Sequence, residues 1–407
     1  MTTPLPNGYQ AGAPLSFGRF AGLRNRAQGE RLAIDDLTEA RNVDLSNDGQ
    51  LSRRAGQSPL FIGSSHSLYA DASIACAVIG GTLYQITADL LTYPLLDGLA
   101  DNAPLNYLRF DDRLYWGNGE QMGVIENGLV RSWGLPVPPL PLASAIDGGS
   151  FSAGVVQYVL VWLRADGQAS GATLAGRLTV AEGQGIAFAL PLPTDPDIVT
   201  ADLYLSPPNG KALYHAASLP AATRDYRVFN NGLSFSYPLA TQFLQPAPVG
   251  HLLTEYKGRI YIATDGALQA SQPFAPELFD ARDFLIPDGS RIVLLEAVTG
   301  GLWIGTENGL YFATGDAPAD LALSLKMTAR AIPGAVARID GAQVGDGSLN
   351  GETLLITTCR HGILQAGAGG ELRALSSDRF VFEASGHGAT LVRDLHGALQ
   401  YLSITSG

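Results

Sequence analysis

Six histidines, at positions 66, 215, 251, 361, 387 and 396, are the residues best able to ligate a metal or move a proton. None belongs to an H-x-H or H-E-x-x-H pair, so the spacing a zinc site needs is absent. His387 and His396 fall near turn signals, where a solvent-facing or capping imidazole is the simpler reading. Close carboxylates occur as Asp35-Asp36, as Asp111-Asp112, and as Asp280 with Asp283. Glycoside cleavage needs two carboxyl groups at a defined separation across a substrate. In such turn-rich sequence each set reads instead as a turn, cap or surface feature. The stretch Asp340-Gly-Ala-Gln-Val-Gly-Asp-Gly offers oxygens to calcium but lacks the full ligand spacing, and reads as a plain loop. The sequence contains no G-x-S-x-G elbow, no P-loop and no copy of the S-x-D-x-G-x-T-W box of sialidase propellers. Cys76 and Cys359 lie in apolar, strand-like contexts and read as small buried hydrophobes. No catalytic residue, metal site or cofactor is expected, and the chain is read as a non-enzyme.

Composition narrows the class. The 407 residues exceed one ordinary domain and can bury a large core without staples. With 48 glycines and 24 prolines the chain suits short strands and many turns, and no long helical periodicity stands out. No stretch reaches the roughly 18–20 unbroken apolar residues of a membrane span, so no membrane insertion is expected. The start, Met1-Thr-Thr-Pro-Leu-Pro-Asn-Gly, has no basic patch before an apolar core, so a secretory signal is not expected. The net charge of −12 makes the chain a poor clamp for a phosphate backbone, so no sequence-specific nucleic acid is expected as a partner.

The elements that position these residues are repeated hairpins. Lys257-Gly-Arg-Ile-Tyr-Ile-Ala-Thr-Asp-Gly-Ala-Leu-Gln-Ala and Gly301-Leu-Trp-Ile-Gly-Thr-Glu-Asn-Gly-Leu-Tyr-Phe-Ala-Thr share one pattern: an apolar run, a polar-glycine turn, a second run. Asp265-Gly266 and Asn308-Gly309 are the turn signals, residues that tolerate positive φ. Looser copies begin at Gly81, Asp112, Glu352 and Ala389. The later copies begin at 258, 301, 352 and 389, so they recur every 37 to 51 residues. Glycine-punctuated strands at that period, in six copies, predict an all-β fold: a β-propeller of about six blades. Tyr84, Trp116, Tyr261, Trp303 and Tyr311 alternate within these runs and read as blade core.

The chain divides into four parts. Residues 1–30 form an arm with apolar anchors, and Phe17, Phe20, Leu23, Arg24 and Arg26 are its candidate interface residues. Residues 31–140 hold the first part of the propeller, opening with one helical turn over Leu37–Arg41 capped by Asp35 or Asp36. A strand from Asn42, a turn at Asn47-Asp48-Gly49 and a return strand from Gln50 follow. The run Trp133-Gly-Leu-Pro-Val-Pro-Pro-Leu-Pro cannot join a ladder and makes a semi-rigid connector. Residues 141–245 change character, with six or so short antiparallel strands expected of an immunoglobulin- or fibronectin-like sandwich. Inserting it between blades costs little if its ends lie close together. Residues 246–407 return to blades, and the strands at 42–54 are expected to pair beside the hairpin at 389–404.

One phrase carries a resemblance. Phe20, Gly22, Leu23 and Asn25, then Ala40, Asn42, Val43, Leu45, Gly49, Leu51, Arg54 and Gly56, match an "F-x-G-L-N" and "A-x-N-V-x-L-x-x-G-x-L-x-x-R-x-G" opening, with Arg24 splitting the Leu-Asn pair. This resembles the start of a class of tailed-bacteriophage virion structural proteins of the propeller type. Tyr158 to Ser170 resembles the module those proteins carry at this position. Pro248 to Ala263, Ser271-x-Pro, Glu277-Leu-Phe and Thr314-Gly-Asp-Ala-Pro resemble their later segments. The resemblance implies a tail, nozzle, hub or baseplate component, made in the host cytoplasm and residing in the virion tail. It implies a cyclic homo-oligomer whose partners are other tail proteins or fibres. An alternative is a carbohydrate- or receptor-binding propeller protein at the tail tip, with a host surface glycan as partner.

Overall fold

A computed structural model describes residues 20–26, 32–33, 35–40, 42–46, 48–56, 58–344, 349–376, 379–380, 386–395 and 398–406. The fold is all-β: a β-propeller with an inserted sandwich. Among the described residues the only helical elements are two 3-10 turns, Pro318–Asp320 and Gly341–Val344. Two compact units are distinguishable. One comprises Ser64–Ile286 with Asp316–Leu321; the other comprises Met1–Gly63, Pro287–Gly315 and Ala322–Gly407.

The first unit contains three blades, each a four-stranded antiparallel meander. The first blade runs Ser65–Ala70, Ala75–Ile79, Thr82–Ile86 and Thr92–Leu96. The second runs Asn106–Phe110, Arg113–Gly117, Met122–Glu126 and Leu129–Arg131. The third runs Leu252–Tyr256, Arg259–Thr264, Ala267–Gln272 and Ala275–Leu285. Leu244–Gln245 adds to the edge of the third blade, with Leu244 opposite Asp280. This moves the end of the insertion inward from 245, because Leu244 is buried on the blade. Blades stack face to face through apolar layers. Cys76, Val78 and Leu83 of the first meet Leu114, Trp116 and Ile125 of the second. Tyr115 and Val124 of the second meet Ile260, Ile262 and Phe279 of the third.

The second unit holds two further meanders. The fourth blade runs Ile292–Val298, Gly301–Thr306, Leu310–Thr314 and Ala322–Met327. The fifth runs Ala331–Asp340, Thr353–Cys359, Gly362–Ala366 and Leu372–Ala374. Every residue of Gly301–Thr306 is buried, because a strand inside a stacked blade is covered on both faces and has no reason to alternate. Trp303 fills the layer between these blades and donates its indole N–H to the Gly367 carbonyl at 2.9 Å. The hairpin His387–Leu395 with Ala398–Ser406 lies against the fifth blade. Thr390 Oγ1 donates to the Val336 carbonyl at 2.6 Å, and Tyr401 Oη and Ser403 Oγ lie 2.9 and 3.2 Å from Thr358 Oγ1.

Several expectations needed correction. The copy beginning at Gly81 is one strand out of phase, since its Gly80-Gly81 turn joins the second and third strands of its blade. The Asp265-Gly266 turn is as expected in length, and Asp265 has φ +34°. Neither Asn308 nor Gly309 adopts positive φ. The buried Thr306 hydroxyl instead accepts the N–H groups of both residues, at 3.2 and 3.1 Å, and the Thr306 N–H donates to the Gly309 carbonyl at 2.8 Å across the turn. No helical turn covers Leu37 to Ala40, and Arg41 lies outside the described residues. Asp36–Leu37 is a short strand parallel to Gly22–Leu23, which satisfies backbone groups that a helix would otherwise have used.

The strands Val43–Leu45 and Leu51–Arg53 form the expected hairpin. Among the described residues its ladder and that of the C-terminal hairpin are each internal. The expected backbone pairing is replaced by a side-chain tie: Asp44 accepts from Arg54 at 3.0 Å and from Arg393 at 3.4 Å. Partly exposed pairs of this kind each contribute roughly 0.2–1 kcal/mol. Removing residues 1–56 deletes the Asp44–Arg393 tie and is therefore expected to raise amide exchange across 387–406 by up to about 5-fold, the equivalent of about 1 kcal/mol. Unchanged protection there would show that the N-terminal hairpin does not support the C-terminal one.

Candidate functional site

The site where most functional-type side chains converge is the root of the inserted sandwich. Eight strands form that module, two more than expected. Leu142–Phe151, Gln184–Ala189 and Asp225–Val228 make one sheet. Gly176–Val180, Gly154–Arg164, Ile198–Leu205, Tyr214–Pro220 and Ser234–Pro238 make the other. Phe151, Val156, Tyr158, Trp162, Phe188 and Leu203 fill the space between them. The Pro207-Pro-Asn-Gly turn closes with Gly210 N–H on the Pro207 carbonyl at 2.8 Å, and Asn209 accepts from Val155 N–H.

The chain leaves the second blade at Trp133 and rejoins the third at Leu244. The proline-rich connector is anchored, not free. Trp133 is 3% exposed and donates its indole N–H to the Pro276 carbonyl at 2.8 Å. Its ring sits 4.8 Å from that of Tyr115 and 6.2 Å from that of Phe279. A side chain on Gly134 (φ +82°) would meet the Glu277 carbonyl and Pro246. The outgoing and returning strands are thus in contact, the condition under which an insertion costs little closure entropy.

Charged residues bridge blade and sandwich at this root. Arg113 Nε donates to Glu126 at 2.9 Å, and its Nη2 lies 3.3 Å from Asp166 on the sandwich turn. Arg131 pairs with the same Glu126 at 2.8 Å. Arg164, 5% exposed at its side chain, reaches back to Asp195 at 3.3 Å and to the Ser132 hydroxyl at 2.8 Å. Burial pushes the Glu277 carboxyl above its ordinary value, against the pull of Arg113 and a hydrogen bond from Gln168. Three arginines face carboxylate partners here, so the cluster is internally neutralised and suits fixing an angle, not binding an ion. Sequence reasoning missed it. The one local signal was Arg164, a charge closing an otherwise apolar strand.

The arm residues are placed on the chain's own surface. Phe20 N–H donates to the Gly49 carbonyl at 2.7 Å, and Leu23 lies in the short parallel pair. Arg24 pairs with Asp36 at 3.2 Å, while Arg379 lies 3.7 Å from Asp36 and donates to the Ala21 carbonyl at 3.0 Å. Burial works to raise the Asp36 carboxyl, but hydrogen bonds from Ala33 N–H and Arg24 outweigh it and leave it lowered. Arg26 is exposed. Phe17 lies outside the described residues.

The residues that could have done chemistry are held apart. Asp111 sits at φ +51° in the turn before Arg113. Asp280 is paired to Arg282 at 2.6 Å, and Asp283 accepts the Ala319 N–H at 2.9 Å. His66 contacts Ser67, and His215 lies near Ser218 and Asp202; His396 lies outside the described residues. Asp340 caps its own loop through the Ala342 N–H, and residues 345–348 of that stretch are not described. Among the described residues no group of three or more His, Cys, Asp or Glu side chains could hold a metal ion. Both cysteines are free and buried. Of the alternating aromatics, Trp116, Tyr261 and Trp303 are core, whereas Tyr84 and Tyr311 are half-buried.

No protein-family model matches the chain. No curated protein matches it either. Among solved structures it is similar to BBS1N in its complex with ARL6DN, at 14% identity over 84% of this chain and 90% of that one, TM-score 0.33. It is similar to the virginiamycin B lyase of Staphylococcus aureus, at 10% identity over 81% and 88%, TM-score 0.33. It is similar to the AfRom2 CNH domain, at 8% identity over 85% and 96%, TM-score 0.27. Likenesses this distant carry neither an activity nor a partner to this chain.

Proposed function

We propose that this chain is a non-enzymatic structural component of a tailed-phage virion, a tail, baseplate or nozzle protein that assembles as a ring around the tail axis. The observation that carries the reading is the phrase from Phe20 to Gly56, whose residues resemble the opening of such proteins. Two features support it. The phrase folds into the parallel pair and hairpin that tie the N-terminus to the last hairpin. The sandwich is braced on its blade by the half-buried Arg113–Asp166 ion pair and by the hydrogen bond from buried Arg164 to the Ser132 hydroxyl, as suits a projecting module that must keep its angle under load. In this role the sandwich meets fibres or the cell surface, and the acidic chain lets DNA pass without sticking.

The experiment is electron microscopy of particles carrying this chain with a gold-binding tag, together with mass photometry of the purified protein. The expected result is a ring of label at the tail and a closed oligomer in solution. Complete, infectious particles that lack the chain would overturn the proposal. The alternative, a receptor-binding protein at the tail tip, is favoured by one feature of the sandwich, a cleft at its open side.

A further inference from the structure

The two sheets of the sandwich have free edges on the same side. Asp225–Val228 is the last strand of the three-stranded sheet, and Ser234–Pro238 is the last strand of the five-stranded sheet. Residues 229–233 join them. A cleft of about 210 Å³ opens at this junction, bounded by Ala216, Tyr226, Arg227, Phe229, Asn230 and Leu233 among others. That is below the roughly 300–1,000 Å³ of sites that engulf a drug-sized ligand, so it accommodates one ring and not a buried chain.

The lining is unlike a gap in the core. Arg227 is its only formally charged side chain, and no carboxylate lines it. Asp225, on the same strand, does not reach the lining. Arg227 makes no ion pair among the described residues. Asn230 presents an amide whose oxygen already accepts the Gly232 N–H at 3.2 Å, and the nearby Asn231 carbonyl oxygen of the side chain is buried without a partner. The loop is preformed, since Ser150 N–H donates to the Phe229 carbonyl at 2.7 Å and Leu233 N–H to the Asn231 carbonyl at 2.8 Å. Aromatic surface flanks the cleft: Phe229 is 47% exposed, and Phe235 and Tyr237 on the adjoining edge strand are 62% and 68% exposed. Tyr214 props Phe235 edge-on at 4.9 Å.

We propose that this cleft binds one pyranose unit bearing a carboxylate, an acidic saccharide of the uronic type. Arg227 takes the carboxylate, for which its planar fork is suited. The Asn230 amide meets ring hydroxyls, while Tyr226, packed on the core from the opposite face of its strand, backs the cleft. Phe229 takes the apolar face of the ring through C–H contacts with its π surface. This deepens the receptor-binding alternative by naming a ligand class. It does not depend on ring assembly, and the test below leaves that reading untouched.

The test is saturation-transfer NMR of the full chain with methyl glucuronide, and with methyl glucoside as the uncharged counterpart. Transfer to the glucuronide is expected, weakened about fivefold for the glucoside and for the Arg227→Gln protein, the loss that goes with about 1 kcal/mol at an exposed ion pair. Phe229→Ala is expected to remove transfer to ring protons while leaving the melting temperature within a few degrees. Absence of transfer overturns the proposal, and leaves strand addition to the free edges as the use of this side. Equal transfer to the wild-type, Arg227→Gln and Phe229→Ala proteins also overturns it. So does full displacement by acetate, which would show a site for any small carboxylate.

Discussion

Replacing Trp133 with alanine is expected to lower the unfolding free energy of the blades it joins by about 3–5 kcal/mol, the range for emptying a buried tryptophan site. The ring is almost completely buried between Tyr115 and Phe279, so its removal leaves a cavity lined by two rigid rings and two blade backbones. The Pro276 carbonyl loses its indole donor at the same time, and leaving such a group unpaired costs a further 1–3 kcal/mol or so. Trp133→Phe restores most of the volume and none of the hydrogen bond, so it should fall between alanine and wild type. The loss is expected to be local. Trp133 belongs to the layer shared by the second and third blades, whereas the sandwich has its own core, to which the connector adds Leu135. Hydrogen exchange should therefore accelerate across Arg113–Glu126 and Arg259–Gln272, and remain slow across Gly154–Arg164. An unfolding free energy from urea titration within 1 kcal/mol of wild type, or equal loss of protection in the sandwich, would show that Trp133 does not clamp the junction.

Trp133 also marks the limit of what could be read from residues alone. Its context, a tryptophan followed by four prolines in eight residues, reads as a connector, and it is one. That the connector is nailed into a core depends on Tyr115, Pro276 and Phe279, up to 146 residues away, and no local pattern encodes their approach. The blades were legible because their signal is local: a short β-branched and aromatic run, a glycine, and a second run, repeated. The failures are local features overridden by tertiary partners. Leu37 to Arg41 suits a helical turn until Gly22–Leu23 supplies a parallel strand to pair with. Leu244–Gln245 looks like the end of the sandwich until a blade edge takes it. Asn308-Gly309 suggests left-handed backbone until the Thr306 hydroxyl accepts both N–H groups and the Thr306 N–H donates to the Gly309 carbonyl. Arg113 and Arg164 are ordinary surface arginines in sequence, and only the meeting of blade and sandwich gives Arg113 its Asp166 and Arg164 its Ser132.

Raising the pH through 10 to 12 is expected to unfold the unit formed by the first three blades, because burial pushes several of its phenols upward, Tyr69 and Tyr107 furthest and Tyr115 and Tyr261 after them. Burial pushes the Tyr261 phenol up to about 12, and pushes Tyr115 to about 12 against the opposing effect of Arg113. Unfolded tyrosine titrates near 10. A raised folded pKa means that the native state holds its proton more tightly than the unfolded state. The stabilisation is complete below pH 10 and is lost as the pH climbs to 12. Two pKa units correspond to about 2–3 kcal/mol for each phenol. The Cys76 thiol, pushed by burial to about 12, adds a loss of the same sign over a window that begins lower. Tyr261→Phe isolates the effect. The Tyr261 hydroxyl is buried with no hydrogen-bond partner among the described residues, so deleting it should change stability at pH 7 by less than about 1 kcal/mol, or raise it. At pH 11.5 the same variant should be more stable than wild type by about 2 kcal/mol, because no buried phenolate can form. Urea midpoints from pH 8 to 12, with tyrosinate absorbance at 295 nm read in parallel, measure both. If wild type and Tyr261→Phe lose stability in step across that range, the buried phenol is not what alkali attacks.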